Sequence, residues 1–227
     1  RDLHSFPTRR SSDLVLINDV LAWTTPFGEI RLATASSDGS IRLWDPVNGT
    51  QAGRSLTGHV GPVRALCTFN TRHGDAWLAS VGDEGAIRIW DPDVGRPIGR
   101  PLKGPSCPMT CVVAFSAANG EPRLVTTGDD CIVRVWDPGN GRQLGRLSNG
   151  EENLCDVVLV GTNREGRTRL VTSGLDRSIR FWDIATGRMT YAMHALDYAE
   201  TIVSFRHGDL AVSLDDGWAL LRLPPEV

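Results

Sequence analysis

From Val15 onward the chain is a succession of short apolar runs broken by Gly, Asp, Asn, Ser and Pro, and no stretch sustains a helical period. A first type of run, seen at Val63 to Phe69, Met109 to Phe115 and Leu154 to Val160, is rich in β-branched and apolar residues. A second begins at Leu78, Leu124 or Leu170 and stops at a Gly/Asp/Ser turn. A third alternates strictly, as in Ile132-Val133-Arg134-Val135-Trp136, which is the pattern of a half-buried strand. A fourth, such as Gln143 to Leu147, follows an Asp-Pro-x-x-Gly turn, where Asp and Pro set the backbone and Gly accepts positive φ. The pattern predicts units of four antiparallel strands.

The units recur with a fixed period. Trp-Asp pairs stand at 44–45, 90–91, 136–137 and 182–183, three intervals of 46 residues each. Aligned on them are RLATASSDGSIRLWDPVNG from Arg31, WLASVGDEGAIRIWDPDVG from Trp77, RLVTTGDDCIVRVWDPGNG from Arg123 and RLVTSGLDRSIRFWDIATG from Arg169. Sheets of four strands repeated without helices bury their faces on neighbouring units, which points to a radial arrangement.

These segments resemble WD40 repeats, the blades of a β-propeller, over about residues 15–227. The resemblance implies an all-β propeller with blades at about 15–57, 58–104, 105–150, 151–196 and 197–227. It also implies a structural tetrad in each blade: a Trp on the third strand, a Ser/Thr ten residues earlier, an acid six residues earlier and a His before the first strand. Thr34, Asp38 and Trp44 fit in the first unit, Thr126, Asp130 and Trp136 in the third, and Thr172, Asp176 and Trp182 in the fourth. The second offers His59, Ser80, Glu84 and Trp90, with Asp83 adjacent to the acid position. His59 alone supplies the histidine; Pro105 and Glu151 stand in its place elsewhere. Thr201 to Phe205, Leu210 to Leu214 and Trp218 to Leu223 read as a fifth, degenerate blade of three strands, with Asp216 at the acid position and Arg222 replacing the Trp. The family ring usually has seven blades, so two readings stand: the C-terminal part of a larger propeller, or a five-bladed ring. An incomplete fifth blade leaves an unpaired edge open to self-association.

Residues 1–14 share neither this period nor its composition. They resemble the conceptual translation of a sequencing adaptor and are set apart as an artefactual or disordered tail. Overall, 41% hydrophobic, 22% charged and a net charge of −3 exclude a disordered chain, a coiled coil and a generally basic nucleic-acid binder. No run of 18 apolar residues occurs, so no membrane partner is expected. Among 24 basic residues only Lys103 is lysine, a bias suggesting a GC-rich, bacterial genome. Five cysteines without CxxC spacing argue against a disulfide framework and for a cytoplasmic protein.

Candidate chemistry is sparse. His59, Ser80 and a nearby acid imitate a hydrolase triad, yet the repeat places them in a hydrogen-bond chain ending on the Trp90 indole, and no GxSxG elbow accompanies them. The recurring tryptophans read as packing between blades, whereas Trp23, Trp77 and Trp218 fall outside that register. Arg42, Arg88, Arg134 and Arg180, two before each Trp, read as stems covering the sheet with heads paired to acids. Cys67, Cys111 and Cys155 fall on predicted first strands; Cys107 and Cys111, if on one strand, lie about 13 Å apart, too far for one metal. Neither a metal nor a cofactor is expected. Asn48-Gly49-Thr50 matches a glycosylation sequon but fills a turn.

In the family, partners touch the rim near the start of the first strand and just before the tetrad acid. By register, these positions are Pro62, Arg64 and Asp83 in the second unit, Pro108, Thr110 and Asp129 in the third, Leu154, Asp156 and Leu175 in the fourth, and Ser37 in the first. The expectation is a non-catalytic scaffold binding other proteins or peptides, within a larger regulatory or signalling protein. A propeller enzyme using axial-channel residues and a nucleic-acid-binding propeller are the alternatives; the first needs converging titratable groups and the second a basic stripe.

Overall fold

A computed structural model describes residues 15–25, 28–147, 155–162, 168–174, 176–194, 199–204, 210–214 and 217–221, with side chains described through 147 and over 168–174 and 176–194. The expectations for residues 1–14, Glu151, Leu154, Leu175 and Asp216 lie outside them.

The described residues form five antiparallel sheets and no helix. The first runs β1 (Ile17–Thr24), β2 (Ile30–Ser36), β3 (Ile41–Asp45) and β4 (Thr50–Gln51) in chain order. The second has β5 (Val63–Asn70), β6 (Ala76–Gly82) and β7 (Ala86–Asp91), with its outer strand split into β8 (Arg96–Pro97) and β9 (Leu102–Lys103), both paired to β7. The third is β10 (Met109–Ser116), β11 (Pro122–Gly128), β12 (Val133–Asp137) and β13 (Arg142–Leu147). The fourth is β14 (Cys155–Thr162), β15 (Thr168–Gly174), β16 (Ser178–Asp183) and β17 (Arg188–His194). The fifth has three described strands, β18 (Ala199–Ser204), β19 (Leu210–Leu214) and β20 (Gly217–Leu221).

Each sheet is one blade. The first strands β1, β5, β10, β14 and β18 pack on one another in chain order as the innermost layer. Between blades the contacts are apolar and have a direction. Leu66, Leu78 and Trp90 of the second sheet share a core with Ala33, Ala35, Ile41 and Leu43 of the first. Val112, Leu124 and Trp136 of the third do the same with Ala79, Val81, Ile87 and Ile89 of the second. Leu170 and Trp182 join Val125, Val133 and Val135 of the third. Trp90, Trp136 and Trp182 therefore face the preceding sheet, and burial follows from that: they are 1%, 2% and 3% exposed. Trp44, also expected in a core, is only half-buried, because the face it stands on has no preceding sheet among the described residues. Packing of the extent that joins neighbouring sheets has no counterpart between the first and fifth among the described residues.

The fifth sheet corrects one sequence assignment. In the fourth sheet Leu170 stands opposite Trp182, and in the fifth the equivalent Leu210 stands opposite Leu221. Leu221, not Arg222, therefore takes the Trp position. The reason is a connection between second and third strands that is one residue shorter: Ser173 pairs with Ile179, whereas Ser213 pairs with Trp218.

Two turns repeat. After each Trp-Asp pair the chain closes on itself, Gly49, Gly95, Gly141 and Gly187 donating to the carbonyls of Asp45, Asp91, Asp137 and Asp183 at 2.8–2.9 Å. Each Asp carboxylate also accepts the amide two residues on, as from Val47 at 2.9 Å and Ala185 at 2.8 Å, so the Asp builds the turn. The turn between second and third strands needs a left-handed residue. Gly39 and Gly85 supply it at φ +80° and +69°, but the same register holds Cys131 and Arg177, both at φ 60°. A side chain there costs about 1–2 kcal/mol. Cys131→Gly is therefore expected to raise unfolding free energy by about 1 kcal/mol in urea titration. Gly85→Ala, whose Cβ would collide with the Pro105 carbonyl oxygen, should lower it by more than that.

Candidate functional site

The blade interior is organised around the indole N–H, a donor that must be satisfied once buried. Pairing places Ser80 two residues beyond Leu78, which faces Trp90 across the ladder, so hydroxyl and indole share one face of the sheet. Trp44 donates to Thr34 Oγ1 at 3.0 Å, Trp90 to Ser80 Oγ at 2.8 Å, Trp136 to Thr126 Oγ1 at 2.9 Å and Trp182 to Thr172 Oγ1 at 3.0 Å. In the second sheet the chain of bonds continues: Ser80 Oγ lies 2.6 Å from His59 Nε2, and His59 Nδ1 lies 2.6 Å from Glu84 Oε1. The consistent assignment has Nδ1–H donating to Glu84 and the Ser80 hydroxyl donating to Nε2. Ser80 is 0% exposed, so its hydroxyl is consumed by the network and presents no nucleophile to solvent.

Where the histidine is absent, the acid turns to the arginine two residues before the Trp. Asp38 accepts from Arg42 at 2.6 Å, Asp130 takes Arg134 with both oxygens at 3.0 and 2.5 Å, and Asp176 pairs with Arg180. In the second sheet Arg88 Nε stands 3.5 Å from Glu84 Oε1, the acid being engaged by His59. Burial alone would raise the three Asp pKa values. Hydrogen bonds from arginine and from the turn outweigh it, holding all three below the ordinary range and Asp176 at about 2. Burial lowers the His59 pKa, against the pull of Glu84 and with the push of Arg88, so the ring is neutral at pH 7.

The rim has its own recurrent device. In every sheet the pairing of first and second strands skips one residue, between Ile17 and Asp19, Val63 and Ala65, Met109 and Cys111, Cys155 and Val157, and Ala199 and Thr201. The extra residues are Asn18, Arg64, Thr110, Asp156 and Glu200. A bulge bends its strand and re-aims the unpaired residue. Beside the first three bulges the chain is pinned by one backbone bond each, the amides of Ser37, Asp83 and Asp129 donating to the carbonyls of Leu16, Pro62 and Pro108 at 2.9–3.1 Å.

Ile17, Asn18, Arg64, Pro108, Thr110 and Asp129 line a cavity of about 540 Å³ between the first three blades. That volume suits a few side chains or a small ligand. Arg64 is held by Asp83 through Nε at 2.6 Å and Nη2 at 3.1 Å. That hydrogen bond outweighs burial and, with the charges of Asp83 and Asp129, raises the guanidinium pKa further.

Of the rim residues expected from sequence, Arg64, Pro108, Thr110 and Asp129 come together at this cavity. Asp83 reaches it through Arg64, and Pro62 contributes its carbonyl to the Asp83 amide. Ser37 instead caps the Leu16 amide at 3.0 Å, and Asp156 sits at the fourth bulge. Asn18 and Ile17 were missed, although counting back 46 residues from Arg64 lands on Asn18. Asn18 also donates to the Val63 carbonyl at 2.7 Å, and Asp19 accepts from the Leu66 amide at 2.8 Å, tying the first two blades together. Burial raises the pKa of Asp19 despite its backbone hydrogen bonds. Trp23 is buried in the core, and Trp77 meets Phe69 edge-on at 6.1 Å. Cys107 precedes β10 rather than sharing a strand with Cys111, and Cys67 is buried, which pushes its thiol pKa up. Among the described residues no cluster of His, Cys, Asp and Glu has the makings of a metal site.

A family model described as WD domain, G-beta repeat (WD40) matches residues 13–45, 51–91 and 95–137. No curated protein matches the chain.

The sign of the pH dependence follows from the shifts. A group whose pKa is lower in the folded state stabilises above its unfolded value and loses that contribution as pH falls. For His59 the loss begins below about pH 6.5, and for Asp38, Asp130 and Asp176 below about pH 4. Unfolding free energy should therefore decline between pH 7 and 5 by up to about 1.4 kcal/mol per pH unit. His59→Gln should flatten that window in chemical denaturation while leaving the decline below pH 4. A slope between pH 7 and 5 that survives in His59→Gln would assign it to another group.

Proposed function

The chain belongs to the WD40-repeat family, and from that premise we propose that it is a non-catalytic platform which holds a peptide segment of a protein partner over its bulged rim. WD40 repeats serve generally as protein-interaction scaffolds, so the specific content of the proposal is the face and its residues. One observation supports it above the others. Each first strand carries a bulge at the same register, and the residues it lifts from the first three blades converge on one cavity. A binding face needs one adjustable side chain per blade, and a bulge at the same register of each first strand supplies it.

The chemistry of the face is mixed. Asn18, Arg64, Thr110 and Asp129 provide donors and acceptors, and Ile17 and Pro108 provide apolar contact, the blend found at protein interfaces. The rim pairs Arg64 with two carboxylates, Asp83 and Asp129, which speaks against nucleic acid as the partner of this face. The odd cysteine number and the lack of paired spacing support a cytoplasmic setting. Self-association through the β20 edge is a second use we assign to the fold, since β20 pairs only with β19 among the described strands.

Selection of a displayed peptide library on the chain supplies ligands, and the double variant Arg64→Glu, Asp129→Arg tests the face. Arg64 and Asp83 are partly exposed, so losing their pair costs little stability. The variant should keep the far-ultraviolet spectrum and Tm of the parent and bind selected peptides at least about tenfold more weakly. Undiminished binding would remove this face as the site.

A further inference from the structure

Basic charge is unevenly divided over the described chain. The stretches that carry the outer strands, residues 46–57, 92–104, 138–147 and 184–194, hold seven Lys and Arg residues against one acid, Asp93, although the chain has a net charge of −3. The seven are Arg54, Arg96, Arg100, Lys103, Arg142, Arg146 and Arg188, all of them exposed. Among the described residues none of these heads has an ion pair, whereas every other described arginine has a partner, as Arg42 has Asp38 and Arg134 has Asp130. A surface that is merely solvated intersperses both signs. Here the cations gather on the perimeter, because β4, β8, β9, β13 and β17 pair only with third strands among the described residues.

Two of these outer strands are also open along their length. β4, β8 and β9 have two residues each, and Pro97 and Pro101 interrupt the edge of the second blade. β13 and β17 run for six and seven residues without a proline, and each has a neighbour on one side only among the described strands. They show Leu144, Met189 and Tyr191 to solvent, each 45–47% exposed. Residues 189–198 hold two of the chain's three Met and both of its Tyr, types enriched where proteins meet. The two strands adjoin. Gly187, just before β17, faces the Leu147 side chain that ends β13, so Arg146 and Arg188 flank one junction.

We propose that this edge is a second docking surface, on which an acidic, extended segment of a protein partner adds as a strand to β17 and sets its carboxylates on Arg188, Arg146 and Arg142. Strand addition supplies backbone bonds to an open edge, and an arginine fork holds a carboxylate with two bonds at once. Charge selects the segment, since β13 and β17 carry no acid to repel it. A nucleic acid uses the surface less well. Its phosphates would meet the arginines, but Leu144 and Met189 would stay uncovered. Tyr191 is engaged with Phe181, ring centroids 5.8 Å apart, rather than standing clear as a stacking platform for a base. The rim cavity takes no part, because none of these residues lines it.

Fluorescence anisotropy of a labelled peptide of alternating Glu and Val, titrated with the 227-residue chain, is the test. A peptide of alternating Lys and Val and an oligothymidylate of equal charge are the comparisons. The Glu peptide should bind at least about tenfold more tightly than either, and more weakly as NaCl rises from about 50 to about 300 mM. N-methylation of alternate peptide amides, which leaves its charge intact, should weaken binding about tenfold. Arg146→Glu with Arg188→Glu, at exposed side chains, should do the same with unchanged circular dichroism. The rim variant Arg64→Glu, Asp129→Arg should bind this peptide as the parent does, so failure on this edge leaves the rim reading standing. Absence of binding, or binding indifferent to Arg146→Glu with Arg188→Glu, overturns the proposal. Binding that survives N-methylation overturns strand addition to β17. An oligothymidylate that binds as well as the Glu peptide overturns the choice of partner and assigns the arginines to nucleic acid.

Discussion

The structure depends on a buried indole that must bring its own acceptor. A four-stranded sheet cannot hide both faces by itself, so the second, third and fourth blades each lean a Trp onto the sheet before it, and the Trp carries an N–H into that dry contact. The acceptor is a Ser or Thr two residues along the neighbouring strand, held on the same face by the pleat. That requirement fixes the ten-residue spacing from hydroxyl to indole and the length of the turn between them. The Asp after the Trp then closes the next turn, so one dipeptide sets both the packing of a blade and its exit.

The rest of the tetrad is less uniform, and the variation is chemically coherent. In the second blade a neutral, buried His59 relays between Ser80 and Glu84. In the first, third and fourth the carboxylate closes its own turn and takes an arginine. The arginine arrangement engages the acid from its own strand, whereas the histidine arrangement links Glu84 Oε1 to the hydroxyl and indole and leaves Oε2 buried without a hydrogen-bond partner. The arginine ladder, which at first sight suggests an anion site, is the partner that the missing histidines leave to the acids.

Strands, turns and the 46-residue period were legible in the sequence because each has a local cause: alternation, Asp-Pro-x-x-Gly and a recurring Trp. What escaped was relational. A bulge belongs to the pairing of two strands, so neither Val63 to Phe69 nor Leu78 to Val81 announces that Arg64 is the extra residue. Asn18 went unassigned for the same reason, although its register is that of Arg64. In the fifth blade the Trp landmark is gone, and a connection one residue shorter shifted the third strand, so Arg222 was named where Leu221 stands. The exposure of Trp44 depends on a neighbour rather than on any residue near it.

Comparison among the repeats of this one chain separates scaffold from site. In the first four blades the hydroxyl position holds Thr34, Ser80, Thr126 and Thr172 and the packing position holds Trp, whereas the fifth has Val212 and Leu221 at those registers. At the bulge they hold Asn18, Arg64, Thr110, Asp156 and Glu200, five different side chains on the same backbone irregularity. A backbone feature kept in every blade with a side chain that changes in every blade is under constraint for its position and free in its chemistry. A tightly packed position would constrain volume and polarity together. A recognition face does not, because it requires a residue displayed at each blade and a different contact from each. The bulge is therefore the position on which the proposed recognition face rests, one blade-specific side chain from each first strand.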